Sequence, residues 1–324
     1  MLNEVLDLLK SSNKVAIYVH INTDCDAMGS SLALKLALES MGKSVDIYAN
    51  SNFPLAFEFY GDHMKTINTK TVEGNYDLAV CLDCASEGRL GKYKYTYRKR
   101  VENTLNIDHH ATNEKYCKVN YIQKASSTCE ILFDIMQALE IRFSSEMCKF
   151  LISGIATDTG RFSHSVSTKT FVILSKLLKY GRISIEDITT PLFNSLTIES
   201  FTLMQKAYQK IEFYSNKKLA VIMFSREDFI ETNTTLDDTD ALPDIPMQLK
   251  DVCFGILASQ DDKGYFRVSF RSKGDVSARA VAETFGGGGH KNASGCKLYG
   301  TFDEVKQRLI DSVLQTLGWE KWYL

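Results

Sequence analysis

The run Tyr76–Leu82 (YDLAVCL) restricts the fold of this 324-residue chain more than any other feature. Apart from Asp77 it carries no charge, and apolar residues fall at odd and even positions alike. A strand of that kind belongs in the centre of a parallel sheet, covered on both faces. Its neighbours agree. Residues 14–20 (KVAIYVH) and Ser44–Tyr48 read as strands, and residues 105–107 as a short one. Residues 26–42 read as a helix that stops at Gly42, the residue type that best tolerates the left-handed turn after a helix. Ser127 and Glu130 have the spacing of a capping box, opening a helix to about residue 139. Residues 145–155 and 168–179 are further helices. Strands alternating with helices predict an α/β fold, with a mainly parallel sheet and helices on both faces.

Residues 186–211 show no strand signal, contain Pro191 and continue as a helical pattern over 198–210. They read as a helical connection between two domains, residues 1–185 and residues 212–324. The second domain is a smaller α/β unit, with strands at 219–224, 253–258 and 265–270 and helices at 276–285 and 302–317. Residues 233–246 are acidic and carry proline, which suits a loop.

Composition narrows the function. With 38 Lys and Arg against 40 Asp and Glu the net charge is −2, which argues against broad electrostatic binding to long nucleic acid. A small phosphorylated substrate in one local basic pocket is still compatible. The start, MLNEVLDLLKSS, has acids where a signal peptide has bases, and no run of about eighteen apolar residues occurs. The eight cysteines are therefore expected as reduced thiols in a cytoplasmic protein. Cys81 and Cys84 have C-x-x-C spacing but lack a second pair or a helix start that would make them redox or zinc ligands. Residues 92–100 (KYKYTYRKR) read as a solvated basic face, the alternative being stacking on single-stranded nucleic acid.

Four segments place acids and histidines where strands or helices end. They are His20-Ile-Asn-Thr-Asp24-Cys-Asp26, Asp83 after the apolar run, Asp108-His109-His110 after residues 105–107, and Asp158 closing a helix. In an open α/β sheet the carboxyl ends of strands are where ligands bind. Any one of these acids alone reads as a helix cap. Together, Asp24, Asp26, Asp83 and Asp158 match the charge of two divalent cations, and His20 and His109 add neutral nitrogen donors. Mixed imidazole and carboxylate ligation suits manganese, with iron, cobalt or zinc as alternatives. Two ions about 3.5–4 Å apart suit phosphoester hydrolysis. Asp108 either joins the chemistry or only fixes the tautomer of a neighbouring histidine. A fifth segment, Phe285-Gly-Gly-Gly-Gly-His290-Lys291, offers backbone N–H groups and positive charge to a phosphate, as do Arg271 and Ser272. Four of the six histidines lie in these segments, a concentration that favours function over packing.

These motifs resemble the DHH phosphoesterase superfamily. Asp108-His109-His110 stands as its name-giving motif, HINTDCDAMGS matches its first motif, and Gly286–His290 is similar to the glycine-histidine motif of the DHH-associated C-terminal domain. Length and domain order are most similar to the oligoribonuclease and 3′-phosphoadenosine 5′-phosphate phosphatase group. The resemblance implies a metal-binding domain over 1–185 and a substrate-binding domain over 212–324 that closes on it, with the active site in the cleft between. It implies one metal on His20, Asp24 and Asp83, a second on Asp26, Asp83, His109 and Asp158, and Asp83 as the bridge. Arg271, Ser272, Gly288, Gly289 and His290 would then grip the substrate, helped by Arg161. Asp108 and His110 would serve catalysis, His110 as general acid or as a hold on the leaving oxygen. The expected partners are short RNA or a 3′-phosphorylated nucleotide, with no membrane, and a homodimer is allowed for. The alternatives are another DHH hydrolase (pyrophosphatase or exopolyphosphatase, dinucleotide phosphodiesterase, RecJ-type exonuclease) or a nucleotide-binding regulator without turnover.

Overall fold

Strand β4 (Tyr76–Leu82) lies between β1 (Lys14–Tyr18) and β5 (Val101–Asp108) in the computed structural model, with every residue but Asp77 buried. The structure describes all residues except 51, 52, 54, 73, 100, 195, 290 and 321–324, and the side chains of 55 and 56. It divides into two compact units, Met1–Ser195 and Leu196–Leu324.

The first unit runs α1 (Leu2–Ser11), β1, α2 (Cys25–Ser40), β2 (Ser44–Tyr48), β3 (Ile67–Asn68), β4, β5, β6 (Val119–Ile122), α3 (Thr128–Ala138), α4 (Ser145–Asp158), α5 (Thr168–Gly181) and α6 (Glu186–Phe193). Among the described residues six strands form one parallel sheet in the order β3-β2-β1-β4-β5-β6. The chain moves outward from β1 to β3, then returns to β4 on the other side. That reversal opens a crevice at the carboxyl ends of β1 and β4.

Alternation along each strand supplies two cores. Val15, Ile17, Val80 and Leu105 face the cluster built by α2, α3 and α4. Ala16, Tyr18, Tyr48, Ala79 and Cys81 face the opposite layer, where Tyr93 and Tyr97 also pack. The Tyr18 ring stacks on Tyr48 at 5.3 Å and lies 5.7 Å from Tyr93. The basic stretch is thus not one solvated face: Tyr93 and Tyr97 turn inward, and Tyr95 alone of its three tyrosines is exposed. Cys81 and Cys84 are buried in this same layer, and burial raises both thiols, Cys84 to about 12.

Two local expectations change. Residues 105–107 are the buried half of an eight-residue strand, whose first part alternates in burial. Ser127 caps α3 by accepting from the Glu130 N–H, but the reciprocal half of the capping box is missing. The buried Glu130 carboxylate accepts instead from the hydroxyls of Ser126 (2.5 Å) and Thr170 (2.9 Å). Thr170, forty positions on in α5, cannot be read from a local motif.

The second unit runs α7 (Ile198–Gln209), β7 (Glu212–Tyr214), β8 (Leu219–Phe224), α8 (Arg226–Thr232), β9 (Phe254–Gln260), β10 (Tyr265–Ser272), α9 (Ala278–Thr284), β11 (Gly288–Gly289), β12 (Ala293–Tyr299) and α10 (Phe302–Leu317). Among the described residues its sheet has the order β11-β12-β10-β9-β8-β7, antiparallel except for β8 against β9. Phe254, Phe266 and Phe270 pack under α9 and α10; Ile222, Phe224 and Leu257 pack under α7. Residues 186–211 hold two helices: α6 places Ile188 and Leu192 in the first unit's core, and α7 places Leu203 and Ala207 in the second's. The acidic stretch 233–246 forms short 3-10 turns, Leu236–Thr239 and Leu242–Asp244. No described helix is long and apolar enough to cross a membrane.

Candidate metal centre

The centre is built where β1, β4 and β5 end. His20 follows β1 and is fully buried. The Thr23 hydroxyl donates to the His20 carbonyl at 2.8 Å, folding the loop back so that Asp24 caps α2 by accepting from the Ala27 N–H at 3.0 Å. Asp26 then lies in the first turn of α2 with no exposure. Its carboxylate accepts the Thr128 N–H at 2.6 Å and the Cys129 N–H at 2.9 Å, the free donors at the start of α3. Gly154 lets α4 approach that carboxylate: a Cβ there would sit 2.7 Å from Asp26 Oδ1. The same helix ends at Asp158.

Asp83 ends β4 in the left-handed region at φ +52° and is 2% exposed. Its two oxygens face different histidines. Oδ2 is 3.4 Å from His20 Nε2, and Oδ1 is 3.4 Å from His109 Nε2. His20 Nε2 is also 3.6 Å from Asp24 Oδ2, and His109 Nε2 is 3.2 Å from Asp158 Oδ2. Most of these separations are too long for strong hydrogen bonds. They match ligand atoms that share a cation, which at bond lengths of about 2.1 Å lie roughly 3.0–3.5 Å apart. His20 Nδ1 lies 2.7 Å from the Ile21 carbonyl, and His109 Nδ1 lies 3.4 Å from the Ala125 carbonyl. A carbonyl only accepts, so these contacts put the proton on Nδ1 and aim the Nε2 lone pair at the carboxylates.

The electrostatics agree with a place for positive charge. Burial pushes Asp26 up to about 7, aided by the Asp83 charge; burial and the charges of Asp26, Asp24 and Asp83 raise Asp158 well above the carboxylate range. Burial alone would lower His20, but the nearby Asp24 and Asp83 carboxylates outweigh it and raise the imidazole to about 10. Without a cation, the cluster gathers protons. Three sets of donor atoms each lie within 4.8 Å of one another: His20, Asp24 and Asp83; Asp26, His109 and Asp158; and Asp83 with Asp108, His109 and His110. The first two sets could each hold a metal, with Asp83 reaching both.

The third set differs because Asp108 is already committed. Fully buried, its Oδ1 accepts from the His109 N–H (2.8 Å) and His110 Nδ1 (2.7 Å), and its Oδ2 from Asn113 Nδ2 (2.6 Å). Burial opposes the charge on both partners, yet this pairing lowers the Asp108 carboxyl and raises the His110 imidazole. His110 is thereby held as an acid beside Asp83, 3.5 Å from its Oδ1. Asn113 and Thr128 escape the sequence reading; the Thr128 hydroxyl donates to Asp83 Oδ1 at 3.1 Å. Asn113, three residues past the histidine pair, carries a weak local signal, and Thr128 carries none.

The expected phosphate-binding residues are less uniform. Arg161 is exposed at φ +58°, with its guanidinium 4.5 Å from the Phe193 ring centre. In the second unit, Arg271 Nε donates to Asp244 at 2.8 Å. Ser272 is buried; its hydroxyl donates to the Val276 carbonyl at 2.8 Å and accepts the Ala278 N–H at 3.2 Å. Gly288 and Gly289 are exposed and pair with Gly295 and Ser294. Gly289 is at φ +141°, and a Cβ there would lie 2.6 Å from Ser294 Cα, so this segment is a fitted strand edge and not a loose hinge. His290 lies outside the described residues.

Comparison with known proteins follows the two units. Residues 14–155 match the DHH family, N-terminal domain, and residues 216–318 match the DHHA1 domain. The chain is 28% identical over 299 residues to the probable bifunctional oligoribonuclease and PAP phosphatase NrnA of Streptococcus mutans, covering 91% of this chain and 93% of the relative. It is 27% identical over 322 residues to the bifunctional oligoribonuclease and PAP phosphatase NrnA of Thermus thermophilus, covering 97% and 93%. Among solved structures, an exopolyphosphatase-related protein from Bacteroides fragilis is similar with a TM-score of 0.92 and 25% identity, over 97% of this chain and 95% of that one.

Proposed function

This chain belongs to the DHH family of metal-dependent phosphoesterases, and from that premise we propose that it hydrolyses short oligoribonucleotides to nucleoside 5′-monophosphates and 3′-phosphoadenosine 5′-phosphate to AMP and phosphate. The observation that carries this reading is the Asp83 carboxylate set between His20 and His109 with Asp24, Asp26 and Asp158 around it. One ion would be held by His20, Asp24 and Asp83, the other by Asp26, Asp83, His109 and Asp158, and the mixed nitrogen and oxygen donors suit manganese. Bound there, two divalent cations supply Lewis acidity at the phosphoryl oxygens and make water a nucleophile near neutral pH. The remaining work falls to side chains. Asp108 holds His110 protonated, and His110 gives that proton to the oxygen that leaves phosphorus. Arg271 leaves Asp244 to pair with a substrate phosphate, and the N–H groups of Gly288 and Gly289, with His290 and Arg161, complete its grip. Ser272 fixes the start of α9 beside Arg271. A cytoplasmic site of action is consistent with eight free cysteines.

The test is product release with manganese from a 5′-labelled RNA dinucleotide, 3′-phosphoadenosine 5′-phosphate, pyrophosphate and short polyphosphate in parallel. Cleavage of the first two supports the proposal. Cleavage of pyrophosphate or polyphosphate alone assigns the chain to another branch of the family, and no cleavage of any of them sinks it.

Two substitutions refine the roles. Arg271→Ala is expected to lower kcat/KM for the dinucleotide roughly 10- to 100-fold, mainly through KM, because a charge-assisted hydrogen bond contributes about 1.5–3 kcal/mol. Steady-state kinetics decide it, and an unchanged KM removes Arg271 from the site. Thr128→Val keeps the shape and deletes the hydroxyl on Asp83. It is expected to weaken manganese binding or kcat about tenfold, the usual scale for a partner that orients a metal ligand. Calorimetric titration with manganese, alongside kcat, checks it.

A further inference from the structure

Arg89 stands beside the metal centre with no carboxylate paired to it among the described residues. It lies in the 3-10 segment Glu87–Tyr93, is half-buried, and its Nη2 is 3.1 Å from His20 Nδ1. Among the described residues its guanidinium makes that one side-chain contact, and no carboxylate lies within ion-pair distance. The contrast is with Arg98, Arg267, Arg271 and Arg279, each of which pairs with an acid.

Its position is built in. The Ile21 N–H donates to the Arg89 carbonyl at 2.8 Å, tying the segment to the loop that carries His20 and Asp24. Gly91, at φ +58°, brings the backbone against that loop so closely that a Cβ would lie 2.4 Å from Ile21 Cγ2. The backbone therefore delivers this particular side chain to His20.

Such a placement leaves most of the guanidinium N–H groups without a side-chain acceptor among the described residues. A guanidinium does not give up its proton. His20 Nδ1 is also 2.7 Å from the Ile21 carbonyl, and a single nitrogen cannot both donate to the carbonyl and accept from Arg89. With a cation on Nε2, the guanidinium and the ligated imidazole repel each other. The local charge shows what is missing. Asp24, Asp26, Asp83, Asp108 and Asp158 contribute five negative charges, and two divalent ions offset four of them. The protonated His110 offsets the fifth, so Arg89 leaves the set with one positive charge in excess, which attracts a phosphodiester anion.

We infer that Arg89 is a phosphate-binding residue of the first unit, donating N–H groups to a non-bridging oxygen of the scissile phosphate beside the His20 ion. This deepens the phosphoesterase reading above and rests on it. It adds a cation from the first unit, in a segment outside the metal-ligand motifs.

The experiment compares the full chain with Arg89→Gln and Arg89→Lys. It measures kcat and KM on the RNA dinucleotide, AMP binding to the manganese-loaded protein by calorimetry, manganese affinity and Tm. For Arg89→Gln we expect kcat/KM to fall roughly 30-fold or more and AMP binding to weaken about tenfold or more. Manganese affinity stays equal or tightens, because a repelling cation is gone, and Tm is unchanged. Arg89→Lys restores part of the AMP binding. Unchanged AMP binding in Arg89→Gln overturns the inference. So does a loss of manganese affinity that accounts for the lost activity, which would make Arg89 a support for His20. If the wild type cleaves no phosphoester, the phosphoesterase reading falls by itself; the AMP comparison then still decides whether Arg89 binds phosphate.

Discussion

Asp83→Asn is expected to lower kcat at least about 10³-fold while the chain stays folded. The expectation rests on geometry: Asp83 Oδ1 and Oδ2 face His109 and His20 respectively, so one substitution weakens both proposed ion positions. Asparagine is the informative replacement. Asp83 sits at φ +52°, where asparagine is among the few tolerated residues and alanine is strained by roughly 1 kcal/mol. An amide oxygen can also keep the hydrogen bond from Thr128. The readouts are turnover of the dinucleotide, manganese stoichiometry by calorimetry, and circular dichroism to establish folding. Full manganese loading with near-normal turnover would remove Asp83 from its bridging role.

The second large effect couples metal, pH and stability. Asp26 is raised by burial and then by the Asp83 charge to about 7, from an ordinary value near 3.8. An unfolded chain loses this proton near pH 4, and the folded metal-free chain keeps it to about pH 7. Between those values the folded state binds more protons, so its stability is greatest below pH 4 with respect to this group and falls as pH rises to about 7. The loss is roughly 4 kcal/mol for Asp26, and Asp158, raised by burial and its acidic neighbours, acts in the same direction. A divalent ion held in the cluster is expected to reverse the trend, because it would displace the protons and offset the carboxylate charge. Melting curves with chelator should therefore show Tm dropping from pH 5 to pH 8 relative to the manganese-loaded protein. Asp26→Asn removes the titrating group; its one oxygen accepts from either the Thr128 or the Cys129 N–H, and its NH2 faces the other donor, which lowers stability equally at every pH. It should flatten the fall of the metal-free Tm between pH 5 and pH 8 and lose hydrolysis. A metal-free wild type whose Tm is flat across that range, or an Asp26→Asn variant that falls in parallel with it, would show that Asp26 is not a source of the instability.

The two predictions come from different levels of the molecule. Asp83 was visible in the chain as the acid that ends an apolar run, and its approximate place followed from the parallel sheet. The weakened acidity of Asp26 was not visible, because it depends on α3 and α4 closing over the carboxylate. Gly154 is legible as a glycine near Asp158, yet its close approach to Asp26 Oδ1 exists only once α2 and α4 are packed. The same limit explains the misread surface. Lys92 to Arg100 looks basic throughout, but the face opposite α2 and α4 needs aromatic cover, and Tyr93 and Tyr97 supply it beside Tyr18. Glu130 has cap spacing, but burial demands donors, and Ser126 and Thr170 provide them.

What this sequence determines by itself is therefore periodic or local. The buried strand, the alternation into a parallel sheet, and the acids and histidines at element ends are set by spacing along the chain. A strand's carboxyl end is reached within one or two residues, so His20, Asp83 and Asp108 could be placed before any packing was known. The tertiary structure decided which atoms meet: the two oxygens of Asp83 on two histidines, Thr128 on Asp83, Asn113 on Asp108, and Arg89 on His20. Their partners come mostly from other elements, and burial and charge, which set the chemistry of each group, exist only after those elements close together.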